Sequence, residues 1–389
     1  MPITEEIDRE IPPLMASWKV PGMSIAIIYK DKIVFAKGYG TQQFGEDSPV
    51  TADTIFAIGS ATKAFTAASL ALLVDQGSLS FNTPLRPLLP EVHWNSELLT
   101  SEMTLADLLA NRTGLEMGDL VWYKSGLTQQ ELIERLPYLK SDNPFRSTFS
   151  YNNLTYMIAG KVIPRVTGQS WNKWVEAKLL KPLHMDRTTT SVAEAIKMDN
   201  IASPHTSKEE ISIIPRENND VVAPAGAMHS SANDMANWLL FLLGKGSFEG
   251  KSLFSSKQIE TLWEPVTPIS MESIYAKAYP KATTVAYGLG WFLHDYEGHN
   301  IVEHAGKVDG MQSLVVLAPK EQFGFVILSN SDSLGFPIVL KYLLLDQFFD
   351  LSYTNWSFNI SAGLKIFKAQ MALKEMLLEK ERCKQEKPG

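Results

Sequence analysis

The chain has 389 residues, of which 45% are hydrophobic and 20% charged, and its formal net charge at pH 7 is −7. This composition is typical of a globular protein, and an acidic chain with no basic stretch in its first 350 residues argues against nucleic acid as a partner. Cys383 is the only cysteine, so neither an internal disulfide nor a cysteine metal cluster can form.

Targeting and membrane signals are not found in the sequence. The N-terminus lacks the charged-then-apolar pattern of a signal peptide, and no run of 18 apolar residues occurs. We therefore expect a cytoplasmic protein without a membrane span.

The first 58 residues predict a helix followed by a hairpin. Residues Ile3–Ser17 fit a short helix that Pro12 and Pro13 break. The apolar runs Gly22–Tyr29 and Ile33–Gly40 flank a turn and predict an antiparallel pair of strands.

Helical patterns dominate from residue 59 to residue 286. Thr104, Thr128 and Ser231 are suitable N-caps, and Glu131 would complete a capping box with Thr128. The predicted helices are Ser60 to about Asp75, Leu105–Ala110, Thr128–Leu136, Asn153–Thr167, Trp171–Leu180 and Ala232–Leu243.

From Tyr287 the apolar residues recur with a period of two, which is typical of strands. The short turns between them predict an antiparallel meander, which an apolar helix follows. The predicted strands are Tyr287–His294, Asn300–Gly306, Met311–Ala318 and Phe323–Asn330, and the helix is Pro337–Leu351.

These elements predict an α+β protein in which the N-terminal and C-terminal strands form one antiparallel sheet covered by helices. The sheet lobe would comprise about residues 1–58 and 287–351, and a mostly helical lobe about residues 59–286. Residues 352–389 would form a linker and a charged amphipathic helix. We expect a ligand cleft between the two lobes.

Ser60 and Lys63 stand at the start of the first helix of the helical lobe. Positions three apart share a helix face, so the Lys63 amine can reach the Ser60 hydroxyl. A serine needs a base to act as a nucleophile, and a buried lysine that has lost its proton can be that base. Unpaired N–H groups in the first turn would favour an oxyanion. The alternative is an N-capping serine beside an exposed lysine.

Tyr151 and Asn153 stand at the head of the predicted helix Asn153–Thr167. A tyrosine close to ammonium groups can be held partly ionised, which suits proton transfer, and the Asn153 side chain can point beside it. The alternative is a buried structural tyrosine next to an asparagine cap.

His304 and Gly306 end a strand of small residues. Gly306 would permit the close approach of a substrate backbone, and the N–H of Lys307 could complete an oxyanion hole with that of Ser60. His304 could donate to a substrate carbonyl or carboxylate. The alternative is an ordinary surface or core histidine.

Together these three motifs resemble those of the penicillin-recognising serine hydrolases. The Tyr-x-Asn motif is similar to that of class C β-lactamases, D-stereospecific peptidases and the esterases that share their fold. The resemblance covers about residues 7–351 and extends to Thr113-Gly114-Leu115, Pro224-Ala225-Gly226 and Tyr287-Gly288-Leu289-Gly290-Trp291.

The resemblance implies a β-lactamase/transpeptidase-like fold and a role for each residue. Ser60 would be the acylated nucleophile, and Lys63 and Tyr151 would share the proton transfers. Asn153 would orient Lys63 or the substrate amide. No metal or cofactor is implied.

The third motif would bind substrate through His304 and Gly306, while the backbone N–H groups of Ser60 and Lys307 would hold the oxyanion. His304 stands where β-lactamases carry the lysine of Lys-Thr-Gly. This departure is more like the esterase and D-aminopeptidase branches and predicts weak β-lactam hydrolysis. Asn111 likewise departs from the usual His-Thr-Ser-Gly motif.

We therefore expect a serine hydrolase that acts through an acyl-enzyme on a small-molecule ester, amide or peptide. Acyl transfer to another acceptor and a non-catalytic binding or scaffold role are the alternatives. The C-terminal helix could support a homo-oligomer.

Overall fold

The computed structural model describes residues 2–367 and 369–370 of the chain. Within these residues, no helix has both the length and the apolar character needed to cross a membrane. The helices are α1 Pro2–Ser17, α2 Thr62–Asp75, α3 Glu97–Glu102, α4 Leu105–Leu109, α5 Asp119–Trp122, α6 Gln129–Arg135, α7 Asn153–Thr167, α8 Trp171–Val175, α9 Val192–Ala195, α10 Ala223–Gly226, α11 Ala232–Leu243, α12 Ser256–Leu262 and α13 Gly335–Phe348.

The chain forms two compact units, one of residues 19–332 and one of the described parts of residues 1–18 and 333–389. In the second unit α1 packs against α13, and Ile7, Ile11 and Met15 are buried. The helix α1 continues through Pro12 and Pro13, so the predicted break is wrong. Burial of its apolar face offsets the two backbone hydrogen bonds that the prolines cannot donate.

Two predictions concern the C-terminal part of the same unit. The predicted helix Pro337–Leu351 corresponds to α13, which begins and ends two to three residues earlier. Most of the predicted amphipathic helix Leu364–Lys387 lies outside the described residues, although residues 356–367 are helical. The predicted division into a sheet lobe and a helical lobe stays a prediction.

The main sheet lies within residues 19–332 and joins strands from both ends of this unit. Its strands are β1 Gly22–Tyr29, β2 Lys32–Gly40, β3 Thr267–Pro268, β4 Val285–Tyr287, β5 Phe292–Tyr296, β6 His299–Val308, β7 Met311–Ala318 and β8 Phe323–Ser329. The spatial order is β2-β1-β8-β7-β6-β5-β4-β3, and every neighbouring pair is antiparallel. The predicted single antiparallel sheet is confirmed.

The core lies on the sheet face that α11 covers. All residues of β7 and β8 are buried, and α11 packs against β1 and β8. The predicted caps also form: Thr104 and Thr128 close capping boxes at the starts of α4 and α6, and the Ser231 hydroxyl accepts a hydrogen bond at the start of α11.

The segment Tyr287–His294 is not the single strand that its alternation predicted. It is divided between β4 and β5 by a turn in which the Gly288 N–H donates to the Trp291 carbonyl at 2.8 Å. Gly290 in this turn has a φ of +87°, which glycine adopts without the steric cost of a Cβ. A Cβ there would lie 3.2 Å from the Lys63 carbonyl oxygen, so the turn lies against α2.

The helix α2 is enclosed on all sides. Of its 14 residues, those from Thr62 to Leu73 are all buried, including the polar ones. The Thr66 hydroxyl donates to the Pro224 carbonyl at 2.7 Å and accepts from the Trp171 indole at 3.0 Å. Neighbouring elements therefore satisfy polar groups of α2 that would otherwise lie unpaired in the core.

Candidate active site

Ser60 lies in a 3₁₀ turn, Gly59–Ala61, directly before α2. The turn is anchored by the short strand Phe56–Ala57, which pairs with His229–Ser230. Ser60 is half-buried and lines a cleft. The predicted placement of this serine at the start of a helix is confirmed.

Lys63 lies on the same face of α2 and is fully buried. As an ammonium, its Nζ donates to three acceptors: Asn153 Oδ1 at 2.6 Å, the Ala225 carbonyl at 2.9 Å and Ser60 Oγ at 3.2 Å. Burial lowers the pKa of Lys63 to about 7, although the negative charge of Asp119 acts in the opposite direction. Near neutral pH, a large fraction of Lys63 is therefore a neutral amine that can accept a proton.

Asn153 begins α7 and links Lys63 to a residue that the sequence did not single out. While its Oδ1 accepts from Lys63, its Nδ2 donates to Asp119 Oδ1 at 2.8 Å. Asp119 begins the four-residue helix α5 and also accepts from the Trp122 indole at 2.9 Å. Ser60, Lys63, Asn153 and Asp119 thus form one continuous chain of hydrogen bonds.

Tyr151 lies beside this chain. Its ring centroid is 4.7 Å from Lys63 Nζ and 6.4 Å from the His304 ring. Burial raises the pKa of the Tyr151 phenol well above its ordinary value, and Tyr287 adds to this effect, whereas hydrogen bonding to Ser60 lowers it. The expected partial ionisation is wrong, because desolvation is the largest effect and raises the pKa, so Tyr151 is a protonated phenol at neutral pH.

His304 is buried in β6, and both of its ring nitrogens have protein partners. The Ala305 carbonyl, 2.7 Å from Nδ1, can only accept, so Nδ1 carries the hydrogen and Nε2 accepts from the Tyr287 hydroxyl at 3.0 Å. Burial, together with the charge on Lys63, lowers the pKa of His304 to about 3, and the ring is neutral. Donation from His304 to a substrate would require one of these bonds to break.

Gly306 and Gly59 allow β6 to approach the turn that holds Ser60. A Cβ on Gly306 would lie 1.8 Å from the Ile58 carbonyl oxygen, and one on Gly59 would lie 2.7 Å from the Lys307 nitrogen. The Ser313 hydroxyl stabilises this approach of β6 to the Ser60 turn by donating to the Ile58 carbonyl at 2.6 Å. The backbone of Lys307 is therefore held next to the Ser60 turn.

Asn111, the residue that departs from the family pattern, supports the segment before Tyr151. It is buried and has a φ of +51°, a conformation that asparagine tolerates better than most residues. Its Oδ1 accepts from the Asn152 N–H at 3.0 Å, and its carbonyl accepts from the Ser150 N–H at 2.8 Å. Asn111 thus fixes the backbone on both sides of Tyr151.

The cleft at Ser60 has a volume of about 320 Å³, which suits a small-molecule ligand. Ser60, Asn153 and Lys307 line it, whereas Lys63 and His304 are buried. The apolar part of the cleft lining consists of Trp122, Tyr123, Val222 and Val308. Its carboxylates belong to Asp119, Glu217 and Asp309.

Three contacts of the site were not predicted. Asp119 lies in a four-residue helix, which is too short to show any periodicity in the sequence. The Ala225 carbonyl belongs to Pro224-Ala225-Gly226, which the sequence marks only by its resemblance to the family. The apolar alternation predicts a strand at Tyr287 but indicates no partner for its hydroxyl.

Comparisons with known proteins relate the chain to one family. A family model described as Beta-lactamase matches residues 7–347. The unguisins hydrolase ungD′ of Aspergillus campestris is 29% identical over 368 residues, which cover 90% of this chain and 66% of that protein. Protein flp of Staphylococcus aureus strain N315 is 28% identical over 357 residues, covering 87% of this chain and 65% of flp. The chain thus spans slightly less than two thirds of the length of these two relatives.

A solved structure shows the same fold. The octameric penicillin-binding protein homologue from Pyrococcus abyssi superimposes with a TM-score of 0.75 and 25% sequence identity, covering 88% of this chain and 77% of that one. With a family model that matches residues 7–347, the chain belongs to the β-lactamase family, whose members are generally serine hydrolases.

Proposed function

We propose that this protein hydrolyses an ester or amide bond through a covalent acyl-enzyme formed on Ser60. The observation that carries the proposal is the 3.2 Å contact between Ser60 Oγ and the Nζ of the fully buried Lys63. Because burial lowers the pKa of Lys63 to about 7, its amine can take the hydroxyl proton at neutral pH.

Acylation would begin when Ser60 Oγ attacks the carbonyl carbon and its proton moves to Lys63 Nζ. The backbone N–H groups of Ser60 and Lys307 would stabilise the oxyanion. Tyr151, a protonated phenol, would donate its proton to the leaving oxygen or nitrogen and regain one from the Lys63 ammonium.

Deacylation would repeat these transfers with water as the nucleophile. Lys63 would take a proton from water as it attacks the acyl-enzyme, and the proton would return to Ser60 Oγ as the carboxylic acid leaves. An alcohol or amine in place of water would give acyl transfer, so product analysis with and without such an acceptor separates the two activities.

The relatives support hydrolysis but do not identify the substrate. One of them is named for hydrolysis of unguisins. For this chain we propose carboxylesters, D-amino-acid amides and, more weakly, β-lactams as the classes to compare. A homo-oligomer is proposed only from likeness to the octameric homologue and would be measured by light scattering.

The decisive experiment uses a fluorophosphonate probe and a p-nitrophenyl ester. We expect the wild-type protein to be labelled once per chain and to turn over the ester. Ser60→Ala should not be labelled, and its kcat should fall on the order of 10⁶-fold. Ser252→Ala, which changes an exposed serine, is the matched control and should behave as wild type. Labelling that persists in Ser60→Ala, or a wild-type chain that is folded yet unreactive, would refute the proposal; the second result would favour a binding or scaffold role.

A further inference from the structure

We infer, on the basis of the proposed function, that Asp119 is a positioning residue. Its carboxylate fixes the orientation of the Asn153 side-chain amide, so that the lone pair of neutral Lys63 faces the Ser60 hydroxyl.

The carboxylate of Asp119 is itself held in place. It lies at the first residue of α5, lines the cleft, and accepts at Oδ1 from both the Trp122 indole at 2.9 Å and Asn153 Nδ2 at 2.8 Å. An indole N–H can only donate, so Trp122 cannot compete for the amide hydrogens of Asn153.

The contact with Asp119 settles which end of the Asn153 amide faces Lys63. The two ends of an amide have nearly the same shape but opposite hydrogen-bonding character, one donating and the other accepting. Because an ionised carboxylate only accepts, the NH₂ end must face Asp119 and the oxygen must face Lys63. Without an acceptor at residue 119, the amide could turn and place its NH₂ against the Lys63 amine.

The orientation of Asn153 in turn decides where the Lys63 lone pair points. A neutral amine has two hydrogens and one lone pair, and Lys63 Nζ has three partners. Asn153 Oδ1 at 2.6 Å and the Ala225 carbonyl at 2.9 Å can only accept, so they take the two hydrogens. The lone pair then faces Ser60 Oγ at 3.2 Å, the one partner with a proton to give.

Asp119 also acts on Lys63 through its charge. The negative charge raises the pKa of Lys63, against the larger lowering caused by burial. A change at residue 119 therefore has two separate effects, one on the geometry of the base and one on the pH at which the base forms. A residue that only stabilised the fold would produce neither.

The experiment is the pH profile of the second-order rate of labelling by the fluorophosphonate, which reports the free protein. Asp119→Leu removes the acceptor, and we expect its plateau rate to fall by roughly 10- to 100-fold, the scale of a misplaced catalytic group. Asp119→Asn removes the charge but can still accept a hydrogen bond, so we expect a smaller fall in the plateau rate. Because the charge that raises the pKa of Lys63 is lost, the midpoint should lie at lower pH than in the wild type. Asp119→Glu keeps the charge and should restore the wild-type midpoint.

Glu116→Gln is the matched control. It removes one charge from the same segment, and Glu116 contacts the Lys140 N–H at 2.9 Å rather than Asn153. Its plateau and midpoint should equal those of the wild type. Thermal unfolding of each variant checks that the compared proteins are folded.

A double variant tests the route through Asn153. If Asp119 acts by orienting this amide, Asp119→Leu should lower the plateau little further in an Asn153→Ala background. Additive losses in the double variant, or a wild-type plateau and midpoint in Asp119→Leu and Asp119→Asn, would overturn the inference while leaving Ser60 as the nucleophile. Absence of labelling in the wild-type protein would instead refute the proposed function.

Discussion

Gly306→Ala tests whether the close approach of β6 to the Ser60 turn matters for catalysis. The new Cβ would lie 1.8 Å from the Ile58 carbonyl oxygen, and contacts below 3.0 Å are not tolerated. The strand and the turn must therefore separate by about 1.2 Å, the difference between these two distances. Rotation of the Ser313 side chain, whose Oγ would lie 2.4 Å from the new Cβ, cannot relieve the clash, because the Ile58 obstacle is backbone.

The expected loss follows from this displacement. Lys307 is the next residue, so its N–H moves away from the Ser60 N–H by a similar distance. Loss of one oxyanion donor typically lowers kcat by about 10²- to 10³-fold. Overpacking of this kind also lowers the free energy of unfolding by roughly 1–3 kcal/mol. We expect both effects in Gly306→Ala.

The assay is kcat on a p-nitrophenyl ester, with urea unfolding measured on the same samples. Gly77→Ala is the control, because Gly77 has a φ of +72° and a Cβ there would meet nothing within 4 Å. It should lose about 1 kcal/mol from backbone strain and keep its kcat. A folded Gly306→Ala protein with a kcat within about twofold of wild type would show that the Lys307 N–H is not an oxyanion donor.

Two further predictions concern buried polar groups. The pKa of Lys63 is about 7 in the folded protein and 10.5 ordinarily, so between these pH values the unfolded chain binds a proton that the folded chain does not. The free energy of unfolding of the wild type should therefore rise with pH across this window relative to Lys63→Met, as measured by urea unfolding, and an opposite slope would contradict a desolvated ammonium. Tyr287→Phe removes the hydroxyl that donates to buried His304 at 3.0 Å and should lower the free energy of unfolding by about 1–3 kcal/mol. Tyr138→Phe, at an 82% exposed position, should change the free energy of unfolding by less than about 0.5 kcal/mol. If the two variants lose the same free energy of unfolding, the buried hydrogen bond of Tyr287 does not stabilise the fold.

The parts of the fold that follow from local spacing could be predicted from the sequence. Two residues three apart on a helix share a face, which places Lys63 beside Ser60. Apolar alternation identified β6 to β8, and turn residues marked their ends. The single sheet followed because the edge strands of the N-terminal hairpin and the C-terminal meander carry unpaired backbone groups that can pair with each other.

The features that depend on distant residues could not be predicted. The pKa of Tyr151 is set by desolvation, which only the folded environment determines. Asp119 reaches Asn153 from 34 positions earlier in the chain, and no local pattern encodes that contact. The turn between β4 and β5 was hidden because Tyr287, Leu289 and Trp291 alternate with glycines just as strand residues would.

The enclosure of α2 has a consequence for how such proteins diverge. A helix with neighbours on every side cannot shift to suit a different ligand without disturbing the core, so Ser60 and Lys63 keep a fixed relative position. A change in ligand preference is then expected from side chains that border the cleft outside this hydrogen-bonded chain, such as Tyr123 and Val308.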